Sequence, residues 1–218
     1  MLAEGPTEER FIKDVLSEHF WGLGLHLAPT VLATKRVKSG GGFRGGVTSF
    51  GKFENDARRL LGSAGGALLT TMLDYYRLPE DFPGMNTRPL GSPAERVSHV
   101  ESAIHQHFGS PPNLLPYLSL HEFEALLFAS PDELPRALTQ TEKTDQFVSI
   151  RAAFPTPEDI DEQPDQAPSK RIEKIFPAYR KTFHGPTTTK RIGLDRLRNE
   201  CPHFNEWITR LEAFARGS

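Results

Sequence analysis

The sequence predicts an α/β fold, with a mainly parallel central sheet flanked by helices and a helical C-terminal extension. Three observations carry this expectation. Strand-like and helix-like stretches alternate through residues 1–130, as in chains that wind helices over a parallel sheet. The strand-like run "GALLTTMLDYY" is almost continuously apolar, the pattern of a strand covered on both faces. Beyond residue 130 helical patterns take over. At 218 residues the chain can bury a sizeable core, so we expect a core over 1–130 and an extension over 131–218 packed on it as one structural unit.

The elements follow in order. "PTEERFIKDVLSEHF" reads as a helix. Pro6 suits the first helical position, Glu8 and Glu9 lie where the helix dipole favours acids, and Phe11, Ile12, Val15, Leu16 and Phe20 share one face. "PTVLATKRV" reads as a strand. "KSGGGFRGGVTSF" holds five glycines and reads as a loop, and "FGKFENDARRLLG" as a helix. "GALLTTMLDYY" is a strand that ends at Asp74, followed by a loop over "RLPEDFPGMN". "SPAERVSHVESAIHQHF" is a helix with Ser92 as its cap, Pro93 at the first position and Glu95 completing a capping box. "NLLPYLSLHEFEALLFAS" is a third strand passing into a short helix near His121. "SPDELPRAL" predicts a short helix, "TPEDIDEQPDQAPS" an exposed acidic loop, and "SKRIEKIFPAYRK", "TKRIGLDRLRNE" and "CPHFNEWITRLEAF" further helices.

Composition narrows the function classes. No run of about 18 apolar residues is present, so no membrane span is expected. The amino terminus lacks the basic-then-apolar layout of a signal peptide, and Cys201 is the only cysteine, which together predict a reduced, cytoplasmic protein. The net charge of -2 decides nothing about nucleic acid. Its distribution says more: from Lys170 to Arg198 there are nine Lys/Arg against two Asp/Glu. Such a stretch meets phosphates or is a solvated helix face. From Glu142 to Asp165 the balance reverses, with two basic against seven acidic residues.

Ligands of open α/β sheets collect beyond the carboxyl ends of the strands. Acidic residues recur where that edge should be: Glu4 and Glu8 around the first turn, Asp74 after the second apolar strand, Glu122 and Glu124 after the third. Carboxylates held together repel and need a cation or a shared proton. Hard oxygen ligands of this kind suit Mg²⁺ or Mn²⁺, and two such ions can clamp both oxygens of a phosphodiester displacement. Each acid also has a plain structural reading, as a surface charge, a first-turn helix residue or a turn cap.

The block "EGPTE" at the head of a helix resembles the first motif of the Toprim superfamily, which includes topoisomerases, primases, RecR-type repair proteins and overcoming-lysogenization-defect (OLD) nucleases. "TTMLDYYRLP", "SLHEFEALLF", "APSKRIEKIFPAYRK" and "CPHFNEWITRLE" further resemble an uncharacterised bacterial Toprim-like family of unknown function, over most of the chain. The resemblance implies a Toprim-like Rossmannoid core over 1–130 with a metal-dependent phosphodiester-cleaving site of the OLD-nuclease kind. Glu4 matches the Toprim glutamate, a metal ligand or general acid/base, and Glu8 the second acid of its block. Asp74 matches the first aspartate of the Asp-x-Asp block, expected to hold metal, but Tyr76 stands where a second aspartate is usual. Glu122 or Glu124 is the candidate for the missing oxygen, and Lys170 for stabilising charge on the phosphate. Arg44, Lys170, Arg171, Lys190 and Arg191 are the candidate nucleic-acid contacts.

The resulting expectation is a Mg²⁺- or Mn²⁺-dependent nuclease subunit acting on DNA, or else RNA. A separately encoded ATPase is its expected partner, in phage defence or DNA repair, and homodimer formation is left open. Two other readings stand beside it: a catalytically degenerate binding or adaptor module, which Tyr76 favours, and an ATPase partner without nucleic-acid contact, which the near-neutral charge favours. A Toprim glutamate normally follows a buried strand of several residues. Met1 to Ala3 is barely half of one, so a weakly anchored first strand is expected, from either a start placed too late or a shortened chain.

Other motifs do not hold. "GVTSFGKF" nearly spells a phosphate-binding loop, but Phe53 stands where Ser or Thr should hold Mg²⁺. "HEFEA" has Ala125 where a zinc-protease motif needs histidine. His99, His105 and His107 lack zinc-site spacing, Trp21 and Trp207 read as core, and Cys201 before Pro202 reads as the start of a helix.

Overall fold

The computed structural model describes residues 1–32, 47–63, 65–160 and 165–217. Its contacts divide the chain otherwise than at residue 130. One unit comprises Met1–Glu9 and Pro29–Leu118, the other Arg10–Ala28 and Ser119–Ser218.

The first unit carries the sheet. β1 (Leu2–Ala3) lies between β2 (Thr30–Val31) and β3 (Leu69–Asp74), and β4 (Leu114–Leu115) continues beyond β3, giving the order β2-β1-β3-β4. All three of these pairings are parallel. A fifth short strand, β5 (Leu118–Ser119), also pairs with β3. Parallel strands covered on both faces read as unbroken apolar runs, and Leu69 to Leu73 are all buried. The expected third strand is split in two, because Pro116 has no N–H to give to a ladder. Thr71 repairs the break: its hydroxyl accepts from the Tyr117 N–H at 2.8 Å and donates to the Tyr117 carbonyl at 2.7 Å.

The first strand is short but well held, which corrects the expectation of weak anchoring. Leu2 and Ala3 are completely buried. Met1 and Ala3 accept on one side from Thr30 and Leu32, and on the other the Glu4 N–H donates to the Met72 carbonyl at 3.0 Å. A central strand has partners along both edges, so few residues suffice.

Helices alternate with these strands along the chain. α1 (Pro6–Phe11) starts as the sequence predicts and runs into a π-helical turn, Ile12–Leu16, then α2 (Ser17–Trp21). The Ser17 hydroxyl donates to the Ile12 carbonyl five residues back, in keeping with the widened turn. α3 (Phe50–Ser63) follows the glycine-rich segment, and Lys52 of the rejected phosphate-loop motif donates to Thr48. α4 (Pro93–His107) has the expected capping box: the Glu95 N–H donates to the Ser92 hydroxyl, and the Ser92 N–H to the Glu95 carboxylate at 2.7 Å. The loop before α4 needs Gly84. Its φ is +85°, and a Cβ there would come within 2.8 Å of the Ala103 Cβ. The histidines of α4 go to separate partners, His99 to Thr87, His105 to the Pro111 carbonyl and His107 to Glu54.

The second unit is helical. After a fully buried 3-10 run, Phe123–Ala129, come α5 (Glu133–Ala137), α6 (Thr144–Ala152), α7 (Pro168–Ile175), α8 (Lys181–Ile192), α9 (Leu194–Glu200) and α10 (Pro202–Gly217). Its core joins Phe11 edge-on to Phe123 at 5.4 Å, with Phe204, Trp207 and Leu211 from α10. Two expectations are corrected here. Trp21 is 68% exposed, set against His26, whereas Trp207 is core. The acidic loop is also not wholly exposed: Pro157, Glu158 and Ile160 are buried. Glu158 accepts from the backbone N–H groups of His203 and Phe204 at 2.8 and 2.9 Å, capping α10 from a distant part of the chain.

Candidate functional site

β1 and β3 run parallel as neighbours, so the residues that close them, Glu4 and Asp74, lie at the same edge of the sheet. This is the edge where α/β folds bind ligands. The Glu4 carboxylate is aimed there: its Oε2 accepts from the Asp74 backbone N–H at 2.7 Å, a charge-assisted bond that fixes the side chain. Glu8, one turn into α1, is buried. Its Oε2 lies 3.4 Å from where a Cβ on Gly5 would sit, which places the carboxylate over the backbone next to Glu4. That is ordinary contact, so space alone does not demand the glycine. The sequence-predicted acids Glu4, Glu8 and Asp74 therefore belong to one locality in the first unit. Tyr76, in place of a second aspartate, lies within 5.9 Å of the Arg77 guanidinium.

Glu122 and Glu124 belong to the second unit. Both are buried, Glu124 to 1% exposure. Residues two apart in an extended segment share one face; the backbone turns into the 3-10 run after Glu122, and the two carboxylates still converge on one ammonium. Lys181, the first residue of α8, places its Nζ 3.1 Å from Glu124 Oε2 and 3.7 Å from Glu122 Oε1. The remaining oxygens are also engaged. Glu122 Oε2 accepts from the Ser169 N–H at the start of α7, at 3.0 Å, and Glu124 Oε1 from the Tyr179 hydroxyl at 3.4 Å. The cation that these carboxylates gather among the described residues is thus the Lys181 ammonium.

The electrostatics follow from burial. Loss of water raises the Glu124 pKa above the usual carboxylate range, Lys181 pulls it back and the Glu122 charge pushes it up again. Burial, then the Glu124 charge, raises the Tyr179 pKa well above 10.0, so the phenol keeps its proton and donates it. Sequence reading missed Lys181 and Tyr179. The signal was present, a basic and a phenolic residue at the end of one predicted helix, but nothing local linked them to acids 57 and 55 residues away.

The predicted nucleic-acid contacts that the structure describes lie on α7 and α8. Lys170 pairs with Glu173 at 2.6 Å, Arg171 donates to the Gln166 carbonyl, and Arg191 pairs with Glu133 at 2.8 Å. Lys190 is exposed on α8. Arg44 lies outside the described residues. Cys201 is fully buried, and burial raises its thiol pKa well above 9.0, so it is not a poised nucleophile.

Among the described residues no group of three or more His, Cys, Asp or Glu side chains is placed to hold a metal ion. Mg²⁺ commonly binds through one or two carboxylates with water completing its shell. The oriented Glu4 carboxylate beside Asp74 fits a single ion held in that way, and does not fit a closed two-metal cage. No helix among the described residues is long and apolar enough to cross a membrane.

A family model described as a domain of unknown function, DUF4276, matches residues 3–212. No curated protein and no solved structure matches the chain.

Proposed function

We infer that this chain, which belongs to the DUF4276 family, is a divalent-cation-dependent nuclease subunit that hydrolyses phosphodiester bonds in DNA. The observation that carries the reading is the Glu4 carboxylate, fixed by the Asp74 N–H at the carboxyl ends of two adjacent parallel strands. The likeness of "EGPTE" to the first Toprim motif supports it. Glu4 and Asp74 would hold Mg²⁺ or Mn²⁺. The ion supplies positive charge to phosphoryl oxygens and acidifies water beside it. Glu8, buried over Gly5, is the carboxylate assigned to take up and return a proton at its Oε2. Lys170, Arg171, Lys190 and Arg191 are assigned to the phosphate backbone. A separately encoded ATPase is the proposed partner, in a bacterial cytoplasm, in defence or repair.

A second reading, a binding or adaptor module for that ATPase, is favoured by Tyr76 and by the absence of a three-ligand metal group among the described residues. One experiment separates the two. Purified protein is incubated with supercoiled plasmid and Mn²⁺ or Mg²⁺, beside an Asp74→Ala variant. The variant keeps the backbone N–H that orients Glu4, so it tests the Asp74 carboxylate alone. Cleavage that needs the ion and is lost in Asp74→Ala is expected. Cleavage that survives the substitution would remove these acids from the site, and no cleavage by either protein favours the adaptor.

A further inference from the structure

Among the described residues the phenylalanines are buried or half-buried, with one exposed exception. Phe183, in the first turn of α8, is 47% exposed. Isolated exposed apolar residues are common and need no function. Phe183 is not isolated. The Arg180 guanidinium lies 5.4 Å from its ring centroid and that of Arg10 5.8 Å. The edge-on His184 ring lies 5.1 Å away, at 77°. His184 in turn contacts Phe176 at 5.9 Å, and the Lys143 ammonium lies 5.7 Å from the Phe176 ring. Rings and cations therefore alternate across one surface of the second unit, drawn from α1, the segment before α6, and the α7–α8 junction.

The local backbone builds this arrangement. The Arg180 N–H donates to His184 Nδ1 at 2.9 Å, which pins the imidazole inside the first turn of α8. The same ring stacks on Tyr179 at 5.7 Å and 27°. Arg10 is steadied by a bond from its Nη1 to the Thr182 carbonyl and by its pair with Asp14. Lys143 donates to the Ile175 carbonyl at 2.9 Å. Arg180 is exposed and has no ion pair among the described residues. The guanidinium and ammonium groups set against the rings of Phe183 and Phe176 are those of Arg10, Arg180 and Lys143.

We propose that this surface is a stacking platform for single-stranded nucleic acid, on which a base lies against the exposed face of Phe183 while Arg180, Arg10 and Lys143 meet the adjoining phosphates. An exposed ring flanked by guanidinium groups suits a strand whose bases are splayed out, because every base presents a face that can stack. A duplex hides those faces, so the ring discriminates against it. Of the platform cations, Arg180 falls in the basic stretch from Lys170 to Arg198, whereas Arg10 and Lys143 lie outside it; Lys170 and Arg191 of that stretch are already paired with acids. The inference rests on the nucleic-acid part of the proposed function, and not on cleavage.

The test is fluorescence anisotropy with a labelled oligothymidylate of about 20 nucleotides. The full chain is used, with EDTA present so that binding is read without hydrolysis. Salt-sensitive binding is expected, weaker for a duplex of equal length. Phe183→Ala should weaken it by about tenfold, Phe183→Tyr should keep it, and Arg180→Ala should lower its salt dependence. Trp21→Ala removes a more exposed ring elsewhere and should change nothing. Circular dichroism melts verify that each variant folds. Equal affinity of wild type and Phe183→Ala, preference for the duplex, or absence of oligonucleotide binding would each overturn the proposal. So would Phe183-dependent binding to phosphatidylserine vesicles in place of the oligonucleotide, which would assign the patch to a lipid surface. Asp74-dependent plasmid cleavage unaffected by Phe183→Ala would leave the nuclease reading standing without the platform. Phe183-dependent binding without any cleavage would do the reverse.

Discussion

Replacing Lys181 by methionine should turn a satisfied buried cluster into a pH-dependent weakness. The ammonium lies 3.1 Å from Glu124 and 3.7 Å from Glu122, two carboxylates that are otherwise cut off from water. Removing one partner of a fully buried pair costs about 3–5 kcal/mol. The Lys181 side chain is 42% exposed, so screening by water lowers the expected loss to about 2–3 kcal/mol. The sign of the pH dependence follows from Glu124. Its folded pKa is already raised, by burial first. Such a group contributes stability that is fully present below its unfolded pKa and is lost as pH rises through the folded pKa. Without the ammonium that pKa rises further, so more is lost across the same pH range. Urea unfolding of wild type and Lys181→Met at about pH 5 and about pH 8 should therefore show a larger deficit at the higher pH. Adding Glu124→Gln to Lys181→Met should recover part of it, with a coupling of about 1–3 kcal/mol in the double-mutant cycle. An equal deficit at both pH values, with no recovery in the double variant, would show that Lys181 does not compensate these carboxylates.

Two further outcomes follow from buried groups in the second unit. Glu158→Ala leaves two N–H groups at the start of α10 without their acceptor and should lower stability by about 2–4 kcal/mol in thermal unfolding, with Glu158→Gln losing less. Because burial raises the folded pKa of Glu158, the wild type loses this contribution as pH rises, and the Glu158→Gln deficit should shrink towards high pH. Cys201 should resist a disulfide thiol reagent in the native protein at neutral pH and react at once in denaturant; rapid stoichiometric reaction of the folded chain would contradict its burial.

Local pattern sufficed for much of the fold. Ser92, Pro93 and Glu95 announced the start of α4 because a capping box is closed within four residues. The unbroken apolar run before Asp74 announced β3, and Pro6 with Glu8 and Glu9 announced α1. The locality of Glu4 and Asp74 was legible too, since acids that close adjacent parallel strands must share an edge.

What the tertiary structure alone decided was pairing. The two residues of β1 looked too few for a strand until the sheet placed them at its centre, with hydrogen-bond partners on both sides. The count of basic residues after Lys170 was correct, but not which of them were spent on neighbours: Lys170 and Arg191 hold acids, whereas Arg180 lies beside an exposed ring. Glu122 and Glu124 advertised a need for a cation, and a lysine 57 residues from Glu124 met it. A sequence window records which charges are close along the chain. Burial and long-range packing determine which are close in space, and that distance together with the burial of the pair sets their energy.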